Sequence, residues 1–376
     1  YIILNMIISI DKDKLIEPLR HVVGVSEKKQ TMPILGNVLL RANNGKLLLV
    51  SSDLEVEIAA EINYPFDGQI ETTLPARKLL DIVKSMAGEE PITINIEDTK
   101  AIIKSGKSKF TLATLPANDF PYKEKTDSNR PYNINIVDLD NVIGQTSFSM
   151  AVQDARHFLN GLFLELEGNK LTVVATDGHR LAMSSCTTTD SIETPVTCII
   201  PRKCIIELKR ILATFNDNKE NIAEVTVSNT EITIKVSNYT INSKLIDGNY
   251  PDYKKVFPES LPHKLSTNRE DFKQSLQRMA ILSNEQFKGV KLSLMNQEIK
   301  LTTTNPSQEE GEDSIECVYS GDSFDVGFNL TYLLEVIDVV TSEDLELQLN
   351  NSDSGCLIVS SNNNIVNKYI IMPMRV

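Results

Sequence analysis

An α+β fold in three similar domains is predicted for this 376-residue chain by three observations: a strand pattern that recurs three times, two helical periodicities inside each copy, and polar, proline-bearing stretches between copies. The recurring segments are "GNVLLRANNGKLLLVSSD" from Gly36, "GLFLELEGNKLTVVATD" from Gly161 and "GVKLSLMNQEIKLTTTN" from Gly289, spaced 125 and 128 residues apart. Each reads as a glycine, an alternating apolar run, a polar turn, a second alternating run, and then Ser or Thr before Asp or Asn. A period this long exceeds the roughly 20 to 50 residues of a stacked solenoid unit, so the copies are domains in a row.

Taken in order, the apolar "YIILNMIISI" reads as a first strand, with Met6 as the start and residues 1–5 as an extension. Ten residues without a basic leader are too short for a membrane span and wrong for a signal peptide. A helix candidate precedes each glycine landmark: "DKDKLIEPLRHVVGVS" from Asp11, "VDLDNVIGQTSFSM" from Val137 and "REDFKQSLQRMAILS" from Arg269. A second helix follows each strand block, after Leu74, Ile200 and Phe328. Its apolar positions fall at helical spacing: Leu79, Ile82, Val83 and Met86; Ile205, Leu208, Leu212 and Phe215; Leu330, Leu333, Leu334 and Ile337. Pro75 and Pro201 suit a first helical turn and Asn329 an N-cap. Period-2 strands close each copy, clearest where Ile232, Ile234 and Val236 alternate with Thr233 and Lys235. Boundaries near 123–131 and 257–264 give domains 1–127, 128–258 and 259–376. Three alike domains on short linkers suit a ring made by head-to-tail dimerisation.

The formal charge of −13 argues against a nucleic-acid partner on average, yet the cations are segregated. Three of the six candidate helical regions, at 12–29, 77–86 and 202–215, are net positive at +2, +2 and +3. A weakly basic lining in an acidic body binds duplex poorly by contact but holds it by enclosure. Five cysteines without a C-x-x-C pair suggest neither a disulfide framework nor zinc, and fit a reduced, cytosolic protein.

Several chemical motifs fail on inspection. "SGKS" (105–108) lacks the first glycine of a phosphate loop, since Ala101 stands there, and its surroundings alternate as a hairpin. "EEGED" (309–313) lacks calcium-ligand spacing and reads as a solvated acidic loop. The stretch "VVATDGHRLAMSS" (173–185) raises a hydrolase reading around Asp177 and His179 with Ser184 or Ser185, but no G-x-S-x-G elbow accompanies it. Asn305-Pro306 occupies the equivalent place in the third copy, so the position reads as a turn shaped for binding. An acidic repeat scaffold with no nucleic-acid role is the other alternative.

With these residues in view, "TDGHRLA", "YPDYKKVFP", "ILSNEQFKGVKL" and "MPMRV", together with the triple repeat, resemble the β subunits of bacterial DNA polymerase III, the replicative sliding clamps, from about Met6 to Val376. The resemblance implies the DNA clamp fold, with two helices packed on sheets in each domain. It implies a homodimeric six-domain ring, with helices lining the hole, that encircles double-stranded DNA without reading sequence. The ring is opened by a clamp loader and tethers the polymerase catalytic subunit and other clients as a processivity factor. The family is non-catalytic and cytoplasmic, with no cofactor, metal or membrane.

The resemblance also implies sites. A client groove is formed by Leu159, Thr176, Gly178, His179, Arg180, Leu181, Pro251, Lys255, Val256, Asn329, Tyr332, Met372, Pro373, Met374, Arg375 and Val376. Duplex contacts fall on Lys29, Gln153, Arg156, His157 and Phe158, and the charge pattern adds Arg77, Arg202 and Lys203. The dimer contact sets Lys78, Lys107 and Lys109 against Glu309, Glu310 and Glu312, around Phe110 and Leu112 with Ile281 and Leu282. Val376, Lys255 and His157 depart from the leucine, arginine and aromatic usual in the family. Methionines at the groove suit a surface that adapts to several ligands.

Overall fold

The computed structural model describes residues 7–26, 32–66, 68–122, 130–215, 221–258, 261–362 and 364–375; Met6, Lys29 and Val376 lie outside them. The first copy runs β1 (Ile7–Ile10), α1 (Lys12–Val23), β2 (Asn37–Asn43), β3 (Lys46–Ser52), β4 (Val56–Asn63), β5 (Ile70–Pro75), α2 (Ala76–Ser85), β6 (Ile92–Glu97), β7 (Lys100–Ser105) and β8 (Ser108–Ala113). The second runs β9 (Tyr132–Asn135), α3 (Ile136–Gly144), β10 (Gly161–Thr176), β11 (Arg180–Pro201), α4 (Arg202–Phe215), β12 (Ile222–Val227), β13 (Glu231–Val236) and β14 (Tyr239–Lys244). The third runs β15 (His263–Asn268), α5 (Arg269–Ala280), β16 (Gly289–Met295), β17 (Glu298–Thr304), β18 (Glu310–Glu316), β19 (Phe324–Asn329), α6 (Leu330–Val339), β20 (Asp344–Leu349), β21 (Cys356–Asn362) and β22 (Ile365–Ile371).

All six predicted helices form, with differences at their ends. Pro75 is the N-cap of α2 and Pro201 ends β11, so each proline stands one residue ahead of the first turn. Asn329 caps α6 as expected, accepting from the amides of Thr331 and Tyr332. The predicted turn in "ELEGNKL" is where β10 loses register with β11, between Leu166 and Lys170, with Gly168 at φ +59°. "SGKS" is the turn of the β7–β8 hairpin, Ser105 opposite Ser108. One reading is corrected: Glu310–Asp313 is not loop but the start of β18, an edge strand.

The copies share sheets, because a sheet edge left unpaired exposes a row of hydrogen-bonding groups. β4 of the first copy pairs with β14 of the second, Ile58 opposite Ile241, giving the eight-stranded sheet β5-β2-β3-β4-β14-β13-β12-β9. β11 of the second pairs with β22 of the third, Ala182 opposite Tyr369, giving the six-stranded sheet β10-β11-β22-β21-β20-β15. The central copy is thereby divided between two compact units, Tyr1–Val137 with Lys203–Leu245 and Asp138–Arg202 with Ile246–Val376. In the first unit α1 packs on α2 and on β4, burying Leu15, Leu19, Val22, Leu79 and Val83. In the second, α5 packs on α6 over a core that includes Phe272, Leu276, Leu292, Phe328, Leu333 and Tyr369.

The Asp or Asn that closes each copy's strand block does the same physical work three times. Asp53 Oδ1 accepts from the amides of Glu55 (2.9 Å) and Val56 (2.7 Å), Asp177 Oδ1 from His179 (2.9 Å) and Arg180 (3.1 Å), and Asn305 Oδ1 from Ser307 (3.0 Å) and Glu309 (3.1 Å). Side-chain caps of this kind organise turns by satisfying the amides that follow them. The shared glycine matters less evenly. At Gly161 a Cβ would stand 2.5 Å from the Ile200 carbonyl oxygen, whereas at Gly36 it would meet nothing.

All five cysteines are free and buried. Burial pushes the Cys186, Cys204 and Cys356 thiols up to about 12. Since the thiolate is the reactive form, a disulfide-exchange reagent at mildly alkaline pH is expected to leave all five untouched in the folded chain and to titrate all five in concentrated guanidinium. Rapid reaction of any one in the native state would contradict this packing.

Candidate functional site

The connection between β10 and β11 is only Asp177, Gly178 and His179, and it is fixed from every side. The Thr176 hydroxyl donates to the Arg180 carbonyl (2.5 Å) and accepts from the Gly178 amide (3.1 Å). Gly178 sits at φ +90°, where side chains are rarely tolerated, and a Cβ there would lie 2.9 Å from Nη1 of Arg156. Beyond the turn, the Arg180 side chain is only 8% exposed. Its Nε donates to Asp177 Oδ2 (3.1 Å), Nη2 to the Phe148 carbonyl (2.8 Å) and Nη1 to Glu335 on α6. The guanidinium also lies 4.4 Å from the Tyr332 ring centroid and 5.4 Å from that of Phe148. A buried cation is tolerated only when so matched. Burial, and secondarily the Asp177 charge, raises the Tyr332 hydroxyl above its ordinary range.

This arrangement does no hydrolytic chemistry. Ser184 and Ser185 are buried within β11, and the Ser184 hydroxyl donates to Asn367 Oδ1 (2.6 Å). The Asp177 carboxylate is occupied by two amides and an arginine, so it does not orient the exposed His179 as a base. What the turn does is hold the chain's end. The Met372 amide donates to the His179 carbonyl (2.9 Å) and the Met374 amide to that of Gly327 (2.9 Å), leading the tail from the turn to β19.

Around the turn, Met372 and Val256 are each 42% exposed, Pro373 and Met374 are half-buried, and Pro251, Lys255 and Arg375 are exposed. Beneath them Leu181 packs with Val174, Met183, Tyr253, Leu357 and Ile370. Lys255 pairs with Asp252 (3.0 Å). Two predicted groove residues differ in kind: Leu159 and Leu181, 2% and 5% exposed, support the surface from below rather than line it. Asn329 serves as the α6 cap, and Tyr332 shields Arg180. Beside the tail, a hollow of about 500 Å³ opens among Phe287, Lys291, Thr302, Met374 and Arg375.

The residues predicted to meet duplex separate by role. In the second unit Gln153, Arg156 and His157 are exposed and Phe158 is half-buried; Gln153 holds φ +54°, unusual for a side chain. Arg202 Nη1 donates to the Met150 carbonyl (3.2 Å). In the first unit Arg77 donates to the Ser26 carbonyl (2.5 Å) and Lys203 to Asp53 Oδ2 (2.5 Å), tying α4 to the Asp53 turn. These three cations thus have structural partners within their own units. Glu207, buried on α4 and paired with Arg210 (2.9 Å), has its carboxyl pushed up by burial against the pull of that arginine.

The residues predicted for the dimer lie on exposed sheet edges. β8 is an edge of the first unit's four-stranded sheet, almost wholly exposed, with Phe110 at 37% and Lys107 and Lys109 in solvent. Lys78 is exposed on α2. β18 is an edge of the second unit's four-stranded sheet; Glu309, Glu310 and Glu312 surround it, with Glu312 bonded to Lys300 (2.8 Å). Ile281 is 78% exposed and Leu282 half-buried.

A repeated α+β chain in which a tightly hydrogen-bonded turn cages an arginine beside an exposed apolar tail has the features of a docking protein. Comparison with known proteins makes that specific. The profiles for the N-terminal, central and C-terminal domains of the DNA polymerase III beta subunit match residues 6–124, 133–252 and 254–375. The beta sliding clamp of Pseudomonas putida is 39% identical over 368 residues, covering 98% of this chain and 99% of the relative, and that of Escherichia coli is 37% identical over 369 residues with the same coverage. The crystal structure of the Pseudomonas aeruginosa sliding clamp bound to griselimycin superposes with a TM-score of 0.93 at 39% identity, covering 99% of this chain and all of that one. The chain belongs to the DNA polymerase III beta subunit family, the beta sliding clamps, which are non-catalytic processivity factors.

Reading the sequence missed Glu335 and Phe148. No local pattern announces a partner 155 residues from Arg180; the one available signal was an arginine at an apolar strand start, which demands a counter-charge somewhere.

Proposed function

We propose that two copies of this chain, each of three domains (1–127, 128–258 and 259–376), close head to tail into a ring. The ring encircles duplex DNA in the cytoplasm, a clamp loader opens it, and it tethers the polymerase catalytic subunit and other clients by a short apolar motif. The observation that carries the client reading is the caged Arg180 turn with Met372 and Val256 exposed beside it: a rigid polar frame around adaptable apolar surface. Client contacts then fall on the groove residues named above; Val376, expected among them, lies outside the described residues. Gln153, His157 and Phe158 face the duplex; Lys29, expected there as well, lies outside the described residues. Because Arg77, Arg202 and Lys203 already hold partners, phosphate contact is loose, which suits sliding.

The closing contact follows from complementary edges. β8 offers Phe110, Leu112 and lysines to the acids of β18 with Ile281 and Leu282, so two exposed edges satisfy each other across copies. Removal of Met374, Arg375 and Val376 is expected to weaken a client peptide at least tenfold in fluorescence titrations while sedimentation still reports a dimer. Unchanged affinity would move the groove elsewhere.

A further inference from the structure

The loop that carries the residues facing duplex and the turn that carries the client groove are joined by one side chain. Arg156 Nε and Nη2 donate to Asp154 Oδ1 (3.0 Å) and Oδ2 (2.9 Å), a two-pronged pair, while the Arg156 amide also donates to Oδ1 (2.8 Å). Asp154 is itself fixed, since its amide donates to Asn160 Oδ1 (2.9 Å) and its carbonyl accepts from Asn160 Nδ2 (2.9 Å). From this fixed base Arg156 Nη2 reaches across to the Asp177 carbonyl (3.1 Å), and its guanidinium covers Gly178, leaving no room for a Cβ. The hydrogen bonds from Arg156 also hold the Asp154 carboxyl down to about 2.

We propose that Arg156 is a positioning residue of the client turn rather than a phosphate contact: anchored by Asp154, it fixes the Asp177 carbonyl and the Gly178 backbone so that His179 and Arg180 are presented correctly. The inference rests on the client reading above, and it withdraws Arg156 from the residues that meet duplex. Its chemistry separates the two roles. Lysine keeps the charge but has no fork, so it cannot grip Asp154 and reach Asp177 together. A phosphate contact, by contrast, would survive as lysine and would strengthen when the neighbouring carboxylate is removed.

The test uses the full-length dimer with Arg156→Lys, Asp154→Asn and the double variant. Affinity is measured for a labelled peptide copying the C-terminal ten residues of the cognate polymerase catalytic subunit, and separately for binding to primed duplex across a salt series. Both single variants are expected to weaken the peptide about fivefold, the double variant no further, and neither to change the salt slope on duplex. Opposite effects on duplex, weaker with Arg156→Lys and tighter with Asp154→Asn, with peptide affinity unchanged, would overturn the proposal. So would additive losses in the double variant. Arg180→Ala run alongside separates the two claims: if it too leaves peptide affinity intact, the client reading has failed, whereas its loss with Arg156→Lys unaffected sinks the Arg156 role alone. Thermal unfolding within a degree or two of the parent certifies the Arg156 and Asp154 variants as folded, and a single cooperative transition well above the assay temperature certifies Arg180→Ala, which is expected to be less stable.

Discussion

Arg180→Ala is expected to weaken client-peptide binding by about thirtyfold or more, a loss of about 2 kcal/mol, as for a central interface anchor. The effect has two parts. The turn that presents His179 loses its geometry, and the chain loses stability with it. The guanidinium is the common partner of Asp177, Glu335 and the Phe148 carbonyl, and it supports the Tyr332 ring. Truncation strands the largely buried Asp177 carboxylate, while Glu335, 38% exposed, keeps access to water, so the variant should also lose about 2 kcal/mol of stability, less than for a fully buried pair. Arg180→Lys should recover part of that stability, because one ammonium can face one carboxylate, but little of the affinity, because it cannot serve three acceptors in a plane. Peptide titration and urea unfolding on both variants separate the parts; full affinity in Arg180→Lys would show that charge alone matters at this position.

The second large effect is expected at the closing edge. Ile281 is 78% exposed, so Ile281→Asp leaves the fold of the chain intact, yet in a ring it places a carboxylate in each of two identical interfaces. Losing an isoleucine's burial and desolvating an unpaired charge together cost about 3 kcal/mol per interface, about 6 kcal/mol for the ring, so the dimer constant should fall by about ten-thousandfold or more. In the proposed ring, rim pairs between lysines near β8 and glutamates near β18 would contribute little singly, about 0 to 1 kcal/mol each, and would serve registry and approach instead. Sedimentation equilibrium should find monomers at concentrations where the parent is dimeric. A dimer of unchanged strength would place the contact on another surface.

These residues also show why some features were legible in the sequence and others were not. The triple repeat was visible because each copy solves the same local problem: alternating strands, a turn closed by Asp53, Asp177 or Asn305, and an amphipathic helix on the sheet. Asn329 as a cap and the hairpin at Ser105–Ser108 follow from local chemistry of the same kind. The shared sheets were not legible. Pairing of β4 with β14 and of β11 with β22 depends on which edges meet, and an edge strand reads the same whether it is paired or free. "EEGED" reads as a loop because its charge implies solvent exposure, yet an exposed edge strand is equally charged and solvated. In the site, the turn was legible from Asp177-Gly178, but its cage was not. Arg180 meets Glu335 and Phe148 through tertiary packing, and Arg156 reads as a surface cation until Asp154 and Gly178 are seen on either side of it.

Enclosure is the property to test first, since a chain with a formal charge of −13 is poorly suited to hold DNA by surface attraction alone. The most direct measurement loads the protein onto nicked circular DNA with its clamp loader and ATP, removes free protein, linearises the circle, and follows the fraction still bound. Retention on the circle and rapid loss on linearisation is the expected result for a ring threaded by duplex. Equal retention on both forms would mean attachment by contact, and would contradict it.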